Sequence, residues 1–272
     1  MDSAVRYPHG EARGISTSLS GVPVHDDETM EPLVFKEGMI IQKRGGYRFS
    51  EDAVLLAAIA SEFRSTAGTR YLDMGTGCGI VPVLLSRTHT HLCGYAVEIQ
   101  TSLADMAKRN LALHGVEDRI QTLCADLRTL PDRFPPGSFD WITSNPPYRK
   151  VASGRVNPDP QKAVARHEIH SSLADIIRVA AYLLRNKGRL YMIYPASRLA
   201  ELIAQLRVRD LAPKRLRPVY PSPGERARRV LLEAVLGGGE EMSIERPLCM
   251  RDDRGEYTQE VLLMYRGETS SY

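Results

Sequence analysis

The chain has 272 residues, of which 43% are hydrophobic and 25% charged, and its formal net charge is +3. These values are typical of one large globular domain with a sizeable core. No apolar run approaches the roughly 18–20 residues needed to span a bilayer, and the N-terminus lacks a signal pattern, so we expect a cytoplasmic protein. Its four cysteines form no C-x-x-C pair, and His89 and His91 lack further ligands nearby, so we expect no metal site.

The charge is unevenly distributed along the chain. Residues 1–32 lean acidic and lack apolar periodicity, so we expect a flexible acidic arm there and a single domain at 33–272. Basic side chains cluster in two later segments, 149–166 and 207–229. Such clusters favour a polyanionic partner such as RNA. The RNA-binding residues that we predict are Arg149, Lys150, Arg155 and Arg166.

The first predicted elements of the domain form a cap before its main sheet. Residues 33–41 alternate enough for a strand or the edge of a hairpin. Ser50 is a good N-cap residue, and Glu51 and Asp52 follow it where the helix dipole favours negative charge. A helix is therefore predicted to begin here, with an apolar stripe of Leu55, Leu56, Ile59 and Phe63.

A glycine-rich turn follows the next predicted strand. The strand ends at Asp73, and glycines stand at positions 75, 77 and 79 before a helix that starts at Ile80. Glycines at alternate positions allow a tight turn and a close approach of the backbone to a ligand. The strand before the turn and the helix after it are the context that such a ligand-binding turn requires.

Acidic residues end two further predicted strands. Strand 92–97 is followed by Glu98, at the spacing where such sheets place an acceptor for ribose hydroxyls, and strand 120–124 is followed by Asp126. In a doubly wound sheet these strand ends form one crevice, where ligands bind. The alternation continues with helix 173–184, opened by a capping pair of Ser172 and Asp175, strand 190–194, helix 199–208, strands 216–220 and 230–236, and a small hairpin near 255–258.

The tetrapeptide Asn145-Pro146-Pro147-Tyr148 follows a fourth buried strand at 139–143. Two consecutive prolines make a stiff turn, which holds the Asn145 amide and the Tyr148 ring at a fixed separation. Its carbonyls lack ladder partners. Two acceptors beside an aromatic ring suit a planar amino group such as the exocyclic nitrogen of adenine. The long polar segment that follows, 149–170, is predicted to be a lid over the site.

Together these motifs resemble class I S-adenosylmethionine-dependent methyltransferases, specifically the small-domain N-methyltransferases with an NPPY motif. The narrower resemblance is to the bacterial family that methylates N6 of adenine 37 in valine tRNA. It is carried by 46–56, 165–168, 229–233 and 255–258, and it extends from about residue 33 to the end. The resemblance implies an α/β, Rossmann-like fold with a mostly parallel seven-stranded sheet and helices on both faces. It also implies the anticodon loop of a tRNA as substrate.

The resemblance implies S-adenosylmethionine as cofactor. The glycine turn would hold its methionine part near Asp73, Glu98 would accept from its ribose, Asp126 would lie near its adenine, and Phe49 and Asp52 would close the site. The implied cofactor-binding residues are Phe49, Asp52, Asp73, Gly75, Thr76, Gly77, Gly79, Glu98, Asp126 and Asn145.

The catalytic residues implied are Asn145, Pro146, Pro147 and Tyr148. The Asn145 side chain and the Pro146 carbonyl would each accept one N–H of the target amino group, while Tyr148 would stack on the base.

Other activities share parts of this pattern. A protein glutamine N5-methyltransferase fits the same acceptors, but such enzymes usually carry a helical domain before the glycine turn, and only about 70 residues precede it here. An N6-methyltransferase of adenine in ribosomal RNA or DNA is a further alternative. A nicotinamide-dependent dehydrogenase has no use for NPPY, and a non-catalytic RNA-binding module has no reason to keep both motifs.

Overall fold

The computed structural model describes residues 21–33, 38–45, 48–146 and 171–267. An N-terminal hairpin comprises β1 (Glu28–Pro32) and β2 (Met39–Lys43). The central sheet contains β3 (Arg70–Met74), β4 (Cys93–Glu98), β5 (Ile120–Cys124), β6 (Phe139–Ser144), β7 (Leu184–Pro195), β8 (Leu211–Tyr220), β9 (Arg229–Leu236), β10 (Ser243–Ile244) and β11 (Leu248–Cys249). The helices are α1 (Glu51–Ala60), α2 (Ile80–Thr88), α3 (Thr101–Leu113), α4 (Leu173–Leu183), α5 (Leu199–Val208) and α6 (Gln259–Arg266).

The central sheet is mostly parallel, as predicted. Its seven longer strands follow the order β8-β9-β7-β6-β3-β4-β5, and only β9 runs antiparallel to its neighbours in the described chain. The predicted count of seven is wrong, because β10 and β11 both pair with β8 and bring the sheet to nine strands. These two-residue strands cover the polar edge of β8 and are too short to show a period of two in the sequence.

Alternate residues of the central strands serve two hydrophobic cores, one on each face of the sheet. On β3, Tyr71 belongs to the first core and Leu72 to the second, and on β6 the same holds for Trp141 and Ile142. Helices α1, α2, α3 and α6 pack into the first core, and α4 and α5 into the second. The predicted arrangement of helices on both faces is therefore confirmed.

The N-terminal hairpin corrects the predicted arm at residues 28–32, which form β1 in antiparallel pairing with β2. Glu28 is only 1% exposed, and the Arg109 guanidinium donates to both of its oxygens at 2.7 and 2.8 Å. Burial opposes ionisation of Glu28, but hydrogen bonds from Arg109 and from the His25 backbone hold its pKa at about 2. The sequence did not predict this strand, because Arg109, which holds Glu28 in place, lies on α3, 81 residues further along the chain.

The C-terminal segment contains less hairpin than predicted. A single antiparallel bridge joins Arg251 to Tyr257, and the chain then enters α6, which the sequence did not predict. Thr258 caps this helix by accepting from the Val261 N–H, and Val261 and Tyr265 are buried in the first core. None of the helices in the described ranges combines the length and the apolarity needed to cross a bilayer.

Candidate active site

The glycine turn connects β3 to α2 with three residues in the left-handed region. Gly75, Gly77 and Gly79 have φ angles of 78°, 58° and 82°. A Cβ at Gly79 would lie 3.2 Å from the Ala107 backbone, so this glycine lets α3 pack against the turn. A Cβ at Gly75 would meet no described atom within 4 Å. The first glycine therefore faces open space that a ligand can occupy.

Asp73 lies beneath the turn and is 2% exposed. Its Oδ1 accepts a hydrogen bond of 2.7 Å from the Thr143 hydroxyl, whereas its Oδ2 has no hydrogen-bond partner among the described residues. Burial raises the pKa of Asp73 to about 6. The side chains of Thr143 and Thr76 oppose this shift, and the charge of Glu98 adds to it. A buried carboxylate oxygen without a partner is costly, and a cationic ligand group would satisfy it.

Glu98 ends β4 at the same edge of the sheet and is 7% exposed. Its carboxylate accepts from the Gly77 N–H and from the Gln100 N–H, both at 3.0 Å, and so ties the strand to the glycine turn. Burial raises the pKa of Glu98, and these backbone donors oppose that shift. Two carboxylate oxygens offer about four acceptor positions, which leaves capacity for ligand hydroxyls.

Asp126 follows β5 at this edge and has a partner that the sequence did not reveal. Its Oδ1 accepts from the Arg128 N–H at 2.9 Å, which caps the 3₁₀ turn Leu127–Asp132, and its Oδ2 accepts from Arg128 Nε at 2.9 Å. A ligand amino group at Asp126 would share the carboxylate with Arg128.

Asn145 and Pro146 follow β6 directly, and the register of the sheet places them beside the glycine turn. Ser144 pairs with Met74 and donates from its hydroxyl to the Met74 carbonyl at 3.0 Å. Asn145 is therefore level with Gly75 on the neighbouring strand. Asn145 is partly exposed and Pro146 is buried. The structure thus brings Asn145 and the glycine turn together at one edge of the sheet.

Other predicted site residues lie outside the described residues. They are Pro147 and Tyr148 of the tetrapeptide, the RNA-binding residues Arg149, Lys150, Arg155 and Arg166, and the rest of the predicted lid at 149–170. Their roles stay predictions.

Phe49 and Asp52, which were both predicted to close the site, line two different cavities. The Phe49 N–H donates to Gln42 Oε1 at 3.2 Å, and its ring lines a small cavity with Ile80, the first residue of α2. Asp52 instead accepts from Arg229 Nε at 3.0 Å, at the start of β9, and lines a separate cavity there. Only Phe49 is placed next to the helix that follows the glycine turn.

Asn110 supports the turn and was missed in the sequence. It is fully buried on α3, where its Oδ1 accepts from the Ile41 N–H at 2.7 Å and its Nδ2 donates to the Ile41 and Cys78 carbonyls at 2.9 and 2.8 Å. Cys78 belongs to the glycine turn, so one side chain joins the turn to the N-terminal hairpin. The available signal was an asparagine at an apolar position of the α3 stripe formed by Leu103, Met106, Ala107 and Leu111.

The second basic cluster is largely paired with carboxylates. Arg215 contacts Glu62 and Glu245, each at 2.6 Å, and Arg217 contacts Glu260 at 2.6 Å. Further ion pairs are Arg207–Glu240, Arg228–Glu225 and Arg229–Asp52. Much of the positive charge that the sequence suggested for a polyanion is therefore compensated within the fold.

One group of potential metal ligands lies in the N-terminal hairpin. His25, Asp27 and Glu28 bring ligand atoms within 4.8 Å of one another. Lys43 lies 2.7 Å from Asp27, and Arg109 lies 2.7 Å from Glu28, so cationic side chains already engage both carboxylates. These groups fasten the hairpin to α3.

Comparisons with known proteins identify the family to which the chain belongs. Residues 49–203 match the family model described as methyltransferase small domain. A relative from Porphyromonas gingivalis named tRNA1(Val) (adenine(37)-N6)-methyltransferase is 33% identical over 202 residues, covering 73% of this chain and 78% of the relative. A relative of the same name from Parabacteroides distasonis is 31% identical over 200 residues, covering 73% of this chain and 81% of the relative.

Solved structures show the same fold. A predicted O-methyltransferase from Agrobacterium tumefaciens has a TM-score of 0.65 at 24% identity, covering 80% of this chain and 97% of that chain. Geranyl diphosphate C-methyltransferase from Streptomyces coelicolor, in complex with S-adenosyl-L-homocysteine, has a TM-score of 0.50 at 14% identity, covering 79% of this chain and 90% of that chain.

As a methyltransferase of this family, the chain uses S-adenosylmethionine as its methyl donor, as predicted. The residues present fit that cofactor: Asp73 Oδ2 suits the ammonium group, the space at Gly75 admits a ligand against the backbone, and Glu98 offers acceptors for the ribose. The resemblance to S-adenosylmethionine-dependent methyltransferases is therefore confirmed. A nicotinamide-dependent dehydrogenase and a non-catalytic RNA-binding module are excluded. The chain belongs to the methyltransferase small domain family, together with its relatives named tRNA1(Val) (adenine(37)-N6)-methyltransferase.

Proposed function

We propose that the chain methylates the exocyclic N6 nitrogen of an adenine in RNA, adenine 37 of valine tRNA. The observation that carries the proposal is the register of β3 and β6, which sets Asn145 beside Gly75. This position supports a role for Asn145 as an acceptor for the target amino group, next to the turn that would hold the cofactor. The names of the relatives support adenine 37 as the target nucleotide, and the position of Asn145 supports methyl transfer to an amino nitrogen.

The cofactor-binding residues have distinct tasks in this proposal. Bound S-adenosylmethionine supplies an electrophilic methyl group. Asp73 compensates the ammonium charge, Glu98 accepts from the ribose hydroxyls, and Asp126 contacts the adenine while sharing its carboxylate with Arg128. Gly75 leaves room for the ligand to approach the backbone, and Phe49 closes the N-terminal side.

Asn145 and the Pro146 carbonyl activate the target without a strong base. The adenine N6 lone pair is delocalised into the ring, which makes it a poor nucleophile. Two acceptors, each taking one N–H, favour a pyramidal nitrogen whose lone pair points at the methyl group. Alignment of two reactants in this way can remove roughly 7–11 kcal/mol of the barrier.

The target base must leave its stack to reach this site. A base in a tRNA loop costs less to extrude than a paired base, and stacking on Tyr148 would return roughly 1–3 kcal/mol. Arg149, Lys150, Arg155 and Arg166 would contact phosphates, which makes binding dependent on salt. A tRNA substrate would locate the enzyme in the cytoplasm.

The experiment is incubation with methyl-labelled S-adenosylmethionine and, separately, bulk tRNA, ribosomal RNA, DNA and protein, followed by mass spectrometry of nucleosides and amino acids. We expect label in N6-methyladenosine from tRNA. Label in ribosomal RNA or DNA adenine would identify the alternative nucleic-acid substrate. Label in N5-methylglutamine would identify the protein methyltransferase. Either result would overturn the proposal.

A further inference from the structure

A second cavity of about 500 Å³ opens at the same edge of the sheet as the candidate active site. Arg229, at the start of β9, pairs with Pro195 at the end of β7 and with Val219 near the end of β8. Because β9 is antiparallel, its first residue lies at the carboxyl edge of the parallel strands. In the sheet order β9 is two strands from β6, a sideways distance of about 10 Å.

Three distant stretches of the chain meet at this cavity. Glu51 and Asp52 come from the start of α1, Arg228 and Arg229 from the start of β9, and Arg251 from the segment before α6. Asp52 accepts from Arg229 at 3.0 Å. The Arg251 guanidinium lies 4.3 Å from the centre of the Tyr257 ring, and the Tyr257 hydroxyl donates to Glu51. These contacts build the walls, and the methyl-transfer mechanism uses none of them.

Two of the arginines are available to an anion. Arg228 pairs with Glu225 at 2.7 Å, but both side chains are exposed, and such pairs are worth only about 0–1 kcal/mol. No carboxylate within the described ranges forms an ion pair with Arg251, whose guanidinium donates to the Gly255 carbonyl at 2.8 Å. A phosphate can therefore replace Glu225 at Arg228 and add to Arg251 at little cost.

The remaining lining suits a nucleobase. Leu55, Val219 and Met250 line the cavity beside the arginines and are 1–7% exposed, so they offer a small apolar surface. A volume of about 500 Å³ lies within the usual range of roughly 300–1,000 Å³ for small-molecule sites. The cavity is also lined by three carboxylates, of which Glu51 is engaged by Tyr257, Asp52 by Arg229 and Glu225 by Arg228. Within the described part of the chain, the arginines without a buried partner, Arg228 and Arg251, are therefore the groups that can take an anion.

We propose that this cavity binds a nucleotide of the substrate RNA next to the target adenine, with its phosphate on Arg228 and Arg251. The inference rests on the proposed function, because it requires an RNA substrate. The two sites then have different roles. The glycine turn and Asn145 serve the methyl transfer, and this cavity selects the RNA loop whose adenine is methylated.

The test compares Arg228→Ala, Arg251→Ala and the double variant with the wild-type full-length protein. The affinity for an unmodified valine tRNA transcript is measured by fluorescence anisotropy across a series of salt concentrations, and S-adenosylmethionine binding is measured by calorimetry. We expect the double variant to bind tRNA at least about tenfold more weakly, with the salt slope reduced by about 1 per arginine. Cofactor affinity should stay at the wild-type value.

The matched control is Arg64→Ala, which removes one exposed arginine that precedes β3 near the opposite edge of the sheet. Its tRNA affinity should equal that of the wild type. Because Arg228 is exposed, its single variant tests the inference without a contribution from folding. If the wild type binds and methylates tRNA while Arg228→Ala, Arg251→Ala and the double variant all keep its affinity and salt slope, the inference fails and the proposed function stands. If the wild type neither binds nor methylates tRNA, the proposed function fails with it.

Discussion

Thr143 donates a hydrogen bond of 2.7 Å to Asp73 across two neighbouring strands and fixes the carboxylate beneath the glycine turn. Because the Thr143 proton is used in this bond, the Tyr71 hydroxyl, 2.6 Å away, must donate to Thr143. The chain from Tyr71 to Asp73 holds Oδ1 in place and leaves Oδ2, without a partner among the described residues, for the cofactor. The site therefore keeps a buried charge that weakens the fold until the ligand binds.

The first prediction concerns the cost of that charge. Burial raises the pKa of Asp73 from 3.8 to about 6, so between these pH values the folded chain holds a proton that the unfolded chain has lost. The contribution of Asp73 to the free energy of unfolding consequently falls as the pH rises from about 4 to about 6, and it stays low above that. The difference amounts to about 3 kcal/mol. Asp73→Asn should therefore stabilise the ligand-free protein by about 1–3 kcal/mol more at pH 8 than at pH 4.

Urea unfolding of both proteins at the two pH values measures this difference. Calorimetry on the same samples should show that Asp73→Asn binds S-adenosylmethionine at least about tenfold more weakly, because a charge-assisted contact is lost. A stability difference that is the same at pH 4 and pH 8 would show that Asp73 is not buried as a charge.

A matched pair of glycine substitutions separates ligand space from packing space. Gly75→Ala and Gly79→Ala both place a side chain in the left-handed region, at a cost of roughly 1–2 kcal/mol each. Only at Gly79 does the new Cβ also press on α3, which adds roughly 1–3 kcal/mol. We expect Gly79→Ala to lose more stability and Gly75→Ala to lose more cofactor affinity. Equal cofactor affinity in Gly75→Ala and the wild type would mean that the ligand does not approach this backbone.

Asn110 should couple the N-terminal hairpin to cofactor binding. Asn110→Leu removes the partners of the Ile41 N–H and of the Ile41 and Cys78 carbonyls, at roughly 1–3 kcal/mol for each group left unsatisfied. Leu111→Ala, its buried neighbour, is the stability control at roughly 2–5 kcal/mol. Urea unfolding should show similar losses of stability in the two variants. Calorimetry should show weaker S-adenosylmethionine binding only in Asn110→Leu. Similar affinities for S-adenosylmethionine in the two variants would show that Asn110 contributes to stability and not to cofactor binding.

The glycine turn and the strand ends could be predicted because each carries a local signal. Glycines at alternate positions between a strand and a helix are required by the positive φ angles found there. The predicted capping pair is present as well, since Ser172 and Asp175 bond each other through side chain and backbone. Parallel strands then bring their carboxyl ends to one edge, so Asp73, Glu98 and Asn145 meet without any long-range information.

What the sequence did not reveal depends on partners far along the chain. Strand β1 is held by Glu28 and Arg109, 81 residues apart, in a stretch that composition alone marks as an arm. The predicted role of Asp52 in closing the cofactor site stays a prediction, but its ion pair with Arg229, 177 residues later, had no local signal. The C-terminal hairpin prediction followed local turn signals and missed the apolar face that docks α6 in the first core.

Asn145→Ala should separate chemistry from binding. It removes one of the two acceptors for the target amino group, and loss of a single such hydrogen-bonding group typically costs about 100- to 1,000-fold in turnover. Calorimetry should show near-normal S-adenosylmethionine binding, since Asp73, Glu98 and the glycine turn remain. Turnover within tenfold of the wild type, measured in single-turnover methylation of tRNA, would remove Asn145 from the mechanism.

The most direct test of the account is methylation of two valine tRNA transcripts that differ only at nucleotide 37, one with adenine and one with guanine. With labelled S-adenosylmethionine, the adenine transcript should acquire one methyl group as N6-methyladenosine, and the guanine transcript should acquire none. Equal incorporation into both transcripts, or none into either under conditions where the protein binds the cofactor, would contradict the assignment.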